Sequence, residues 1–375
     1  MAGIYLHIPF CKKRCIYCDF FSTTCKEQKT AYIRALCHEL TDRKDYLKGE
    51  PIETIYLGGG TPSQLAKEDF EAIFSHIYKV YKVTPNAEIT LEANPDDLTS
   101  EYISMLRTFP FNRISMGIQT FQETTLKQLQ RRHTDQAIRA FQGCRTAGFQ
   151  NISIDLMYGL PGETLTSWKK DLKQALSLHP EHISAYHLIY EEGTPLWKLR
   201  EQHKVEEADE DLSVSLFGTL IDELTTAGYE HYEISNFCLP GLHSRHNSSY
   251  WTEKQYLGCG PSAHSYNGIS RQWNVASLDK YIEGISSGNP TFEVEELDLY
   301  TRYNDFVITH IRTQWGMPLP KLGKQYGEEL YKYCLRMATP HLQQGTLEIK
   351  NDTLKLTRKG VFISDGIMSD MLWVE

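Results

Sequence analysis

The chain has 375 residues, a length that suggests one large domain with a smaller one and allows a large buried core. Its formal net charge of −9 and sequence pI of about 5.9 provide no basic stripe for nucleic acid. The sequence contains no low-complexity tract and no apolar stretch of about eighteen residues that could span a bilayer. Composition therefore predicts a soluble protein that binds no nucleic acid, although docking to a membrane-bound partner stays open.

The chain contains 9 cysteines and shows no signal peptide, which predicts a reducing cytoplasmic location where thiols stay free. Cys37 and Cys144 fall at helical spacing beside apolar residues and are interpreted as small core hydrophobes. Cys238, Cys259 and Cys334 show no pairing typical of metal ligands.

The first predicted strand, GIYLHIPF, runs directly into a C-x₃-C-x₂-C pattern formed by Cys11, Cys15 and Cys18. A 4Fe-4S cluster is normally held by four thiolates, so three ligands in one loop leave one iron open for another molecule. Zinc with a distant fourth ligand, or three unliganded thiols, are the alternatives. Cys25 is disfavoured as a fourth ligand because it would close the open iron.

Short strand-like runs alternate with amphipathic helical stretches along the first half of the chain. This alternation predicts an α/β fold with a parallel sheet, and the spacing suits βα units that close part or all of a barrel. Periodicity does not distinguish a partial six-unit barrel from a full barrel or an open sheet. The predicted strands are GIYLHI, TIYL, EITLEA, RISMGI, NISIDLMY and HISAYHLI.

Unusual residues follow the carboxyl ends of these strands, where the chemistry of such folds gathers. The second strand leads into the GGGTP segment, whose glycines would let backbone groups approach a ligand closely. Glu92 and Asp155 are either ordinary carboxylates near helix N-termini or ligands of ribose hydroxyls or a sulfonium. One rim is predicted to collect the Cys loop, Gly58, Gly59, Gly60, Thr61, Glu92, Gln119, Asp155, Tyr186 and His187.

The later segment HSRHNSSYW places His243 and His246 beside Asn247, Tyr250 and Trp251. Imidazole is a common axial ligand of heme iron, and aromatic rings give a macrocycle an apolar surface. A single histidine beside aromatic residues is more often a hydrogen-bonded structural residue, so this chemistry leaves both interpretations open.

The alternation of strand-like and helical stretches gives way to a different pattern after about residue 290. Two helical stretches precede the alternating runs TLEI and TLKL, which are joined at Asn351 and Asp352, and Thr357 is the predicted N-cap of the last helix. Helices followed by a hairpin predict a small winged-helix-like module, interpreted as a lid or interaction platform.

The cysteine spacing resembles that of radical S-adenosylmethionine (SAM) proteins. This resemblance implies a partial (β/α)6 barrel and a cluster whose open iron is chelated by SAM. The segments YLHIPFCKKRCIYCDF, YLGGGTPS, EANPDDL, SMGIQTF, LQRRH, DLMYGLPGET and YEISNF resemble the HemN/HemW group of oxygen-independent coproporphyrinogen III oxidases and their relatives. The resemblance implies SAM contacts at Tyr5, Gly59, Thr61 and Glu92, and an adjoining cavity lined by Tyr17, Gly60, Gln119, Arg131 (or its neighbour Arg132), Asp155, Tyr186 and His264.

Three features favour the HemW-type heme chaperones over the oxidases. Phe20 occupies the position of the fourth Cys in the oxidase pattern, and the chain begins almost at its first strand instead of with an extension. The H-N-x-x-Y-W core is the HemW signature, which implies His246 as the iron contact, with Asn247, Tyr250 and Trp251 around it and His243 as the fallback.

We therefore expect a heme chaperone that binds a 4Fe-4S cluster, SAM and heme and delivers heme to an apo-haemoprotein; a homodimer is left open. The alternative is radical decarboxylation of coproporphyrinogen propionates. The expected domains are residues 1–240 as the barrel, 241–295 as a connecting segment with the heme motif, and 296–375 as the C-terminal module.

Overall fold

The structure of the protein is a computed structural model, and residues 2–131 and 134–374 are described. The strands are β1 (Ala2–Ile8), β2 (Ile52–Gly59), β3 (Val83–Ala93), β4 (Arg113–Gln119), β5 (Ile152–Tyr158), β6 (His182–His187), β7 (Glu230–Glu233), β8 (Asn236–Cys238), β9 (Tyr256–Cys259), β10 (His264–Tyr266), β11 (Ser270–Asn274), β12 (Phe292–Glu296), β13 (Met317–Pro318), β14 (Leu347–Lys350) and β15 (Thr353–Leu356). The helices are α1 (Lys29–Asp42), α2 (Lys67–Val80), α3 (Ser100–Leu106), α4 (Glu123–Gln128), α5 (Thr134–Thr146), α6 (Leu165–Ser177), α7 (Pro195–Glu201), α8 (Glu210–Thr226), α9 (Arg245–Tyr250), α10 (Leu278–Ser286), α11 (Leu299–Ile311), α12 (Leu319–Gln344), α13 (Arg358–Val361) and α14 (Ser364–Met371).

The large sheet is built around six parallel strands that lie side by side in chain order, β1 to β6. These are the six strands predicted from the sequence. The antiparallel hairpin β7–β8 continues the sheet beyond β6, and β9 to β12 continue it beyond β1. In the described residues β7 and β12 are the two free edges of the sheet, so the barrel is partial and open.

Strand β1 shows why the barrel interior is polar. Ile4, Leu6 and Ile8 are fully buried in the hydrophobic core, as period-2 alternation requires. Tyr5 and His7 alternate with them, and the Tyr5 hydroxyl lies 3.1 Å from His7 Nδ1. The apolar face of the sheet therefore supports the fold, whereas the other face carries the polar groups available for chemistry.

The C-terminal module has its own core and its own three-stranded sheet, ordered β13-β15-β14. Asn351 and Asp352 form the predicted turn between β14 and β15, and both adopt the left-handed conformation with φ of 51° and 56°. Thr357 caps α13 by accepting from Gly360 N–H at 3.2 Å, and α14 follows as a further helix. The winged-helix-like fold is thus confirmed, although Thr357 caps the penultimate helix and not the last.

Within residues 2–131 and 134–374, no helix combines the length and the apolar composition needed to cross a bilayer.

Candidate functional site

The Cys loop begins where β1 ends and is fixed by backbone hydrogen bonds to its own return segment and to the loop after β2. Cys11 N–H donates to Thr23 O at 2.8 Å, and Thr23 N–H donates to Pro9 O at 2.7 Å. On the other side, Thr61 N–H donates to Phe10 O at 2.9 Å. The conformation of the Cys loop is therefore held by hydrogen bonds between backbone groups.

Among the three cysteines of this loop, Cys11 is buried, whereas Cys15 and Cys18 are half-buried. Thr61 Oγ1 donates to Cys11 Sγ at 3.3 Å, while burial raises the pKa of Cys11 and raises that of Cys18 to about 11. A positively charged iron centre is what such thiols need in order to ionise. Cys25 is exposed, and its Sγ donates to Glu27 Oε2 at 3.0 Å.

The donor set of this loop fits a cluster with one open iron. Cysteine thiolates are the ligands that 4Fe-4S clusters take, and three of them leave the fourth iron without a ligand from the loop. Zinc takes the same ligand type and stays the alternative.

The glycine loop after β2 closes tightly against β1. Gly59 has φ of 105°, and a Cβ on it would lie 2.7 Å from the His7 ring. A Cβ on Gly60 would lie 2.8 Å from the backbone carbon of Pro9. These positions therefore require glycine because the loop lies close to β1, while the close approach to a ligand that the GGGTP segment suggests stays a prediction.

Glu92, at the end of β3, is bonded to this loop. Its Oε2 accepts from Gly59 N–H at 3.1 Å, and its Oε1 accepts from the Tyr56 hydroxyl at 2.7 Å. Burial raises the pKa of Glu92 to about 7, and the nearby Arg113 charge partly opposes that rise. The carboxyl group is thus poised to ionise when a cation arrives beside it.

Arg113 contributes a positive charge inside the barrel. Its side chain is 1% exposed, and none of its guanidinium nitrogens has a hydrogen-bond partner within the part of the chain that the structure describes. Burial raises the pKa of Asp155, and Arg113 lowers it. Ser115 Oγ contacts both Asp155 oxygens at 3.4 Å.

A cavity of about 110 Å³ opens beside the Cys loop at the carboxyl ends of the strands. Cys15, Thr61 and Arg131 line it, and an Arg131 Nη1–H donates to Gly117 O. Arg132 lies outside the described residues. Lys12, Lys13 and Asn94 also line the cavity and were not among the predicted site residues.

Four other predicted rim residues, namely Tyr17, Gln119, Tyr186 and His264, are not among the residues that line this cavity. Gln119 adopts φ of 73° and its Nε2 approaches Gly117, while Tyr17 lies against Arg131 and Cys15. The Tyr186 side chain is 44% exposed at the end of β6. His264 is exposed on β10 and stacks on Trp273 with ring centroids 5.9 Å apart.

The H-N-x-x-Y-W motif lies at the opposite end of the barrel, where α9 covers the amino-terminal ends of β1 and β2. The Glu88 carboxylate accepts from the Arg245 and His246 backbone N–H groups at 3.0 and 2.9 Å, and Ser244 caps the helix. With a strand rise of about 3.3 Å per residue, Thr54 beneath α9 and Gly59 in the rim are roughly 16 Å apart. The candidate heme motif and the Cys loop are therefore separate sites.

His246 is fully buried, and both of its ring nitrogens are hydrogen-bonded. Nδ1 lies 2.8 Å from Thr54 Oγ1, and Nε2 lies 2.9 Å from the Tyr250 hydroxyl. Burial lowers the pKa of His246 to about 3, so the ring is neutral at pH 7. In this conformation it is a structural histidine, one of the two interpretations left open by the sequence.

One chain of contacts connects the two ends of the barrel. The His246 ring stacks on Tyr56 with centroids 5.0 Å apart. The Tyr56 hydroxyl donates to Glu92, which in turn holds Gly59 of the glycine loop. Sequence reasoning missed Tyr56, although its place in the strand pattern puts it two residues before the glycines.

The rest of the motif faces the C-terminal module. The Arg312 guanidinium lies 4.2 Å above the Trp251 ring, and the Tyr250 ring packs on Tyr256 at 4.7 Å. Tyr250 also lines a cavity of about 130 Å³ shared with α11 and α12. Asn247 lies half-buried in α9, and its N–H donates to Ser244 Oγ at 3.3 Å.

Comparison with known proteins agrees with this arrangement. The Radical SAM superfamily model matches residues 5–175, and the HemN C-terminal domain model matches residues 297–363. The structure of coproporphyrinogen III oxidase (HemN) from Escherichia coli superposes with a TM-score of 0.86 at 22% identity, covering 99% of this chain and 89% of that chain. The likeness to this structure confirms the α/β partial-barrel fold, and the first of the two family models describes the part of the chain that contains the Cys loop.

The curated relatives show which family the chain belongs to. The heme chaperone HemW of Bacillus subtilis is 31% identical over 99% of both chains, and that of Mycobacterium tuberculosis is 32% identical over 99% of this chain and 94% of its own. The heme chaperone HemW of Escherichia coli K12 is 36% identical over 70% of this chain and 69% of its own. This chain belongs to the HemW family. The domain boundaries and individual site residues stay predictions.

Proposed function

We propose that this chain is a heme chaperone that holds a 4Fe-4S cluster and SAM at the carboxyl ends of the barrel strands and passes heme to apo-haemoproteins. The observation that carries the proposal is the pairing of two motifs in one chain. The three-Cys loop, without a fourth Cys at Phe20, stands at one end, and the H-N-x-x-Y-W helix stands at the other.

The cluster is assigned to Cys11, Cys15 and Cys18, and the fit of the donor set supports the assignment. When bound, such a cluster supplies an open iron for the amine and carboxylate of SAM and an electron for cleavage of the sulfonium. The protein's own part is to hold the three thiolates, with Thr61 Oγ1 donating to Cys11 Sγ at 3.3 Å.

SAM is assigned to the rim next to this loop. Glu92 faces the glycine loop with a pKa near 7, so a neighbouring cation would favour its charged form. Tyr5, Gly59 and Thr61 complete the proposed contacts. The adjoining surface is formed by Tyr17, Gly60, Gln119, Arg131, Asp155, Tyr186 and His264.

Heme is assigned to the α9 motif, and iron ligation by His246 requires a change of contacts. Its Nε2 would have to lose the 2.9 Å bond to the Tyr250 hydroxyl before a metal could take that lone pair. Helix α9 has 6 residues and is held to the Glu88 carboxylate by two backbone N–H groups, so few hydrogen bonds have to break when the helix moves away from Glu88. His243, at 23% side-chain exposure, remains the fallback ligand.

The contact chain from His246 through Tyr56 to Glu92 supports control of heme by the SAM site. A ligand that draws the Glu92 carboxylate away from Tyr56 would alter the ring on which His246 stacks. By reciprocity, heme at α9 would alter SAM affinity by the same factor.

The alternative function is coproporphyrinogen decarboxylation, since the predicted SAM residues surround a complete three-Cys loop. The deciding experiment reconstitutes the cluster anaerobically and supplies heme, SAM and reductant. Heme retention, transfer to an apo-haemoprotein and coproporphyrinogen decarboxylation are then measured on the same sample. We expect heme to bind and transfer and no protoporphyrinogen to form.

The controls separate the cluster from the heme site. Replacing Cys11, Cys15 and Cys18 with Ala should abolish the brown chromophore, whereas Cys144→Ser should retain it. Efficient decarboxylation would overturn the chaperone assignment. A chromophore that survives the triple replacement would overturn the cluster assignment.

A further inference from the structure

Three residues with metal-binding side chains meet beside α9, away from the Cys loop. Glu230, Cys238 and His243 each offer one ligand atom, and all of these atoms lie within 4.8 Å of one another. Cys238 shows no pairing typical of metal ligands in the sequence. The pairing is invisible in the sequence because it depends on the β7–β8 hairpin.

The hairpin builds the group from local structure. Glu230 and Cys238 are direct cross-strand partners, so their side chains share one face. The loop after β8 turns at Gly241, whose φ is 78°, and returns His243 to that face. His243 Nε2 then lies 3.0 Å from Glu230 Oε2.

Two groups compete for this one ring nitrogen. Gln314 Nε2 lies 3.3 Å from His243 Nε2, on the opposite side of the domain junction from β7. A neutral nitrogen can donate to the Glu230 carboxylate or accept from the Gln314 amide, but it cannot do both. A cation resolves the conflict, because it takes the His243 lone pair and a carboxylate oxygen together. Rotation of the amide by 180° would then present the Gln314 oxygen.

We infer that Glu230, Cys238 and His243 bind one zinc-class divalent metal ion. A thiolate, an imidazole and a carboxylate are the ligand types that zinc takes in four-coordinate sites, and the fourth position falls to Gln314 or water. The thiol proton of Cys238 is released to solvent when the metal binds.

The metal site would add a link between parts of the chain that already meet through ring contacts. His243 lies three residues before His246, and Tyr232 and Trp315 pack against its ring at 4.7 and 5.4 Å. The metal would therefore join the end of the barrel sheet to the segment that leads into α9. This inference does not depend on heme binding.

The test uses the full-length chain with its iron cluster in place. Zinc content is measured after gel filtration, and zinc-edge X-ray absorption gives the ligands without interference from iron. We expect one zinc per chain with one sulfur and otherwise nitrogen or oxygen neighbours.

Variants locate the ion. Cys238→Ser should remove the sulfur neighbour and lower the affinity for zinc by at least about tenfold. This affinity is measured in competition with a chromophoric chelator. Glu230→Gln should also weaken zinc binding. Because Glu230 is half-exposed, this variant still tests the site if Cys238→Ser misfolds. Cys144→Ser removes an equally buried thiol in α5 and should leave zinc unchanged. Absence of stoichiometric zinc, or a sulfur neighbour that persists in folded Cys238→Ser, would overturn the inference.

Discussion

Replacing His246 with Ala should destabilise the protein before any heme is added. The substitution deletes the hydrogen bonds of the ring to Thr54 at 2.8 Å and to Tyr250 at 2.9 Å. It leaves the Thr54 hydroxyl without this partner at a position that is 4% exposed. Two hydrogen bonds contribute about 2 kcal/mol, the stranded hydroxyl about 1, and the lost stacking on Tyr56 about 1. We expect the free energy of unfolding to fall by about 4 kcal/mol, measured by urea denaturation of the cofactor-free chain.

The same substitution should change the pH dependence of stability. Because burial lowers the folded pKa of His246 to about 3, the unfolded chain gains a proton below about pH 6.5 that the folded chain resists. This penalty grows as pH falls, and it reaches roughly 2 kcal/mol by pH 5. The stability gap between the wild type and His246→Ala should therefore shrink by about that amount between pH 7 and pH 5.

The matched control is His38→Ala, since His38 is 55% exposed on α1 and should change stability by less than about 0.5 kcal/mol. A gap below about 1 kcal/mol at pH 7, or one that does not vary with pH, would refute the buried assignment of His246. The result also matters for heme assays, because lost heme binding in His246→Ala is informative only when the variant is still folded.

Three further predictions concern other parts of the structure. SAM binding to the cluster-loaded chain should strengthen as pH rises through about 7, where Glu92 ionises, and equilibrium dialysis of Glu92→Gln should show a flat profile. Arg312→Met removes the charged partner that lies 2.7 Å from Glu233 Oε1, while Glu233 Oε2 keeps its bonds from Ser235 N–H and the Asn236 side-chain amide. Because Glu233 is 2% exposed, we expect the free energy of unfolding to fall by about 2 kcal/mol and limited proteolysis between the barrel and the C-terminal module to become faster. Unchanged proteolysis would contradict this. Gly60→Ala should cost about 1–3 kcal/mol and reduce cluster loading in iron and sulfide assays, whereas Gly366→Ala, with nothing within 4 Å of its added Cβ, should do neither.

The parallel strands could be predicted from the sequence because each is a short β-branched or aromatic run followed by a helical stretch. Strands β7 to β12 could not be predicted from the sequence. They are short, and sequences such as EHYE and SRQWN carry charged or polar residues that resemble loops. Strand β8 pairs with β6 and β9 pairs with β1, and the other four strands pair in turn onto these two, so their strand geometry is a tertiary effect.

The candidate site was predictable to the extent that strand ends converge at one edge. Cys11, Thr61 and Glu92 belong to three successive βα units, and the parallel order brings them together. Burial of His246 was not predictable, because a histidine beside aromatic residues has the same sequence pattern whether it is exposed or packed. Arg113 was missed for a similar reason, since a strand-initial arginine ordinarily points to solvent.

The backbone bonding of the Cys loop has a practical consequence for handling this protein. Its anchors are amide-to-carbonyl bonds to Pro9, Phe10 and Thr23, and none of them involves a metal. Strand β1, from which the loop emerges, is paired on both sides, with β2 and β9. If the proposed cluster is lost in air, these bonds are therefore expected to hold the loop in shape, so that iron and sulfide added under argon should restore the cluster without refolding the chain.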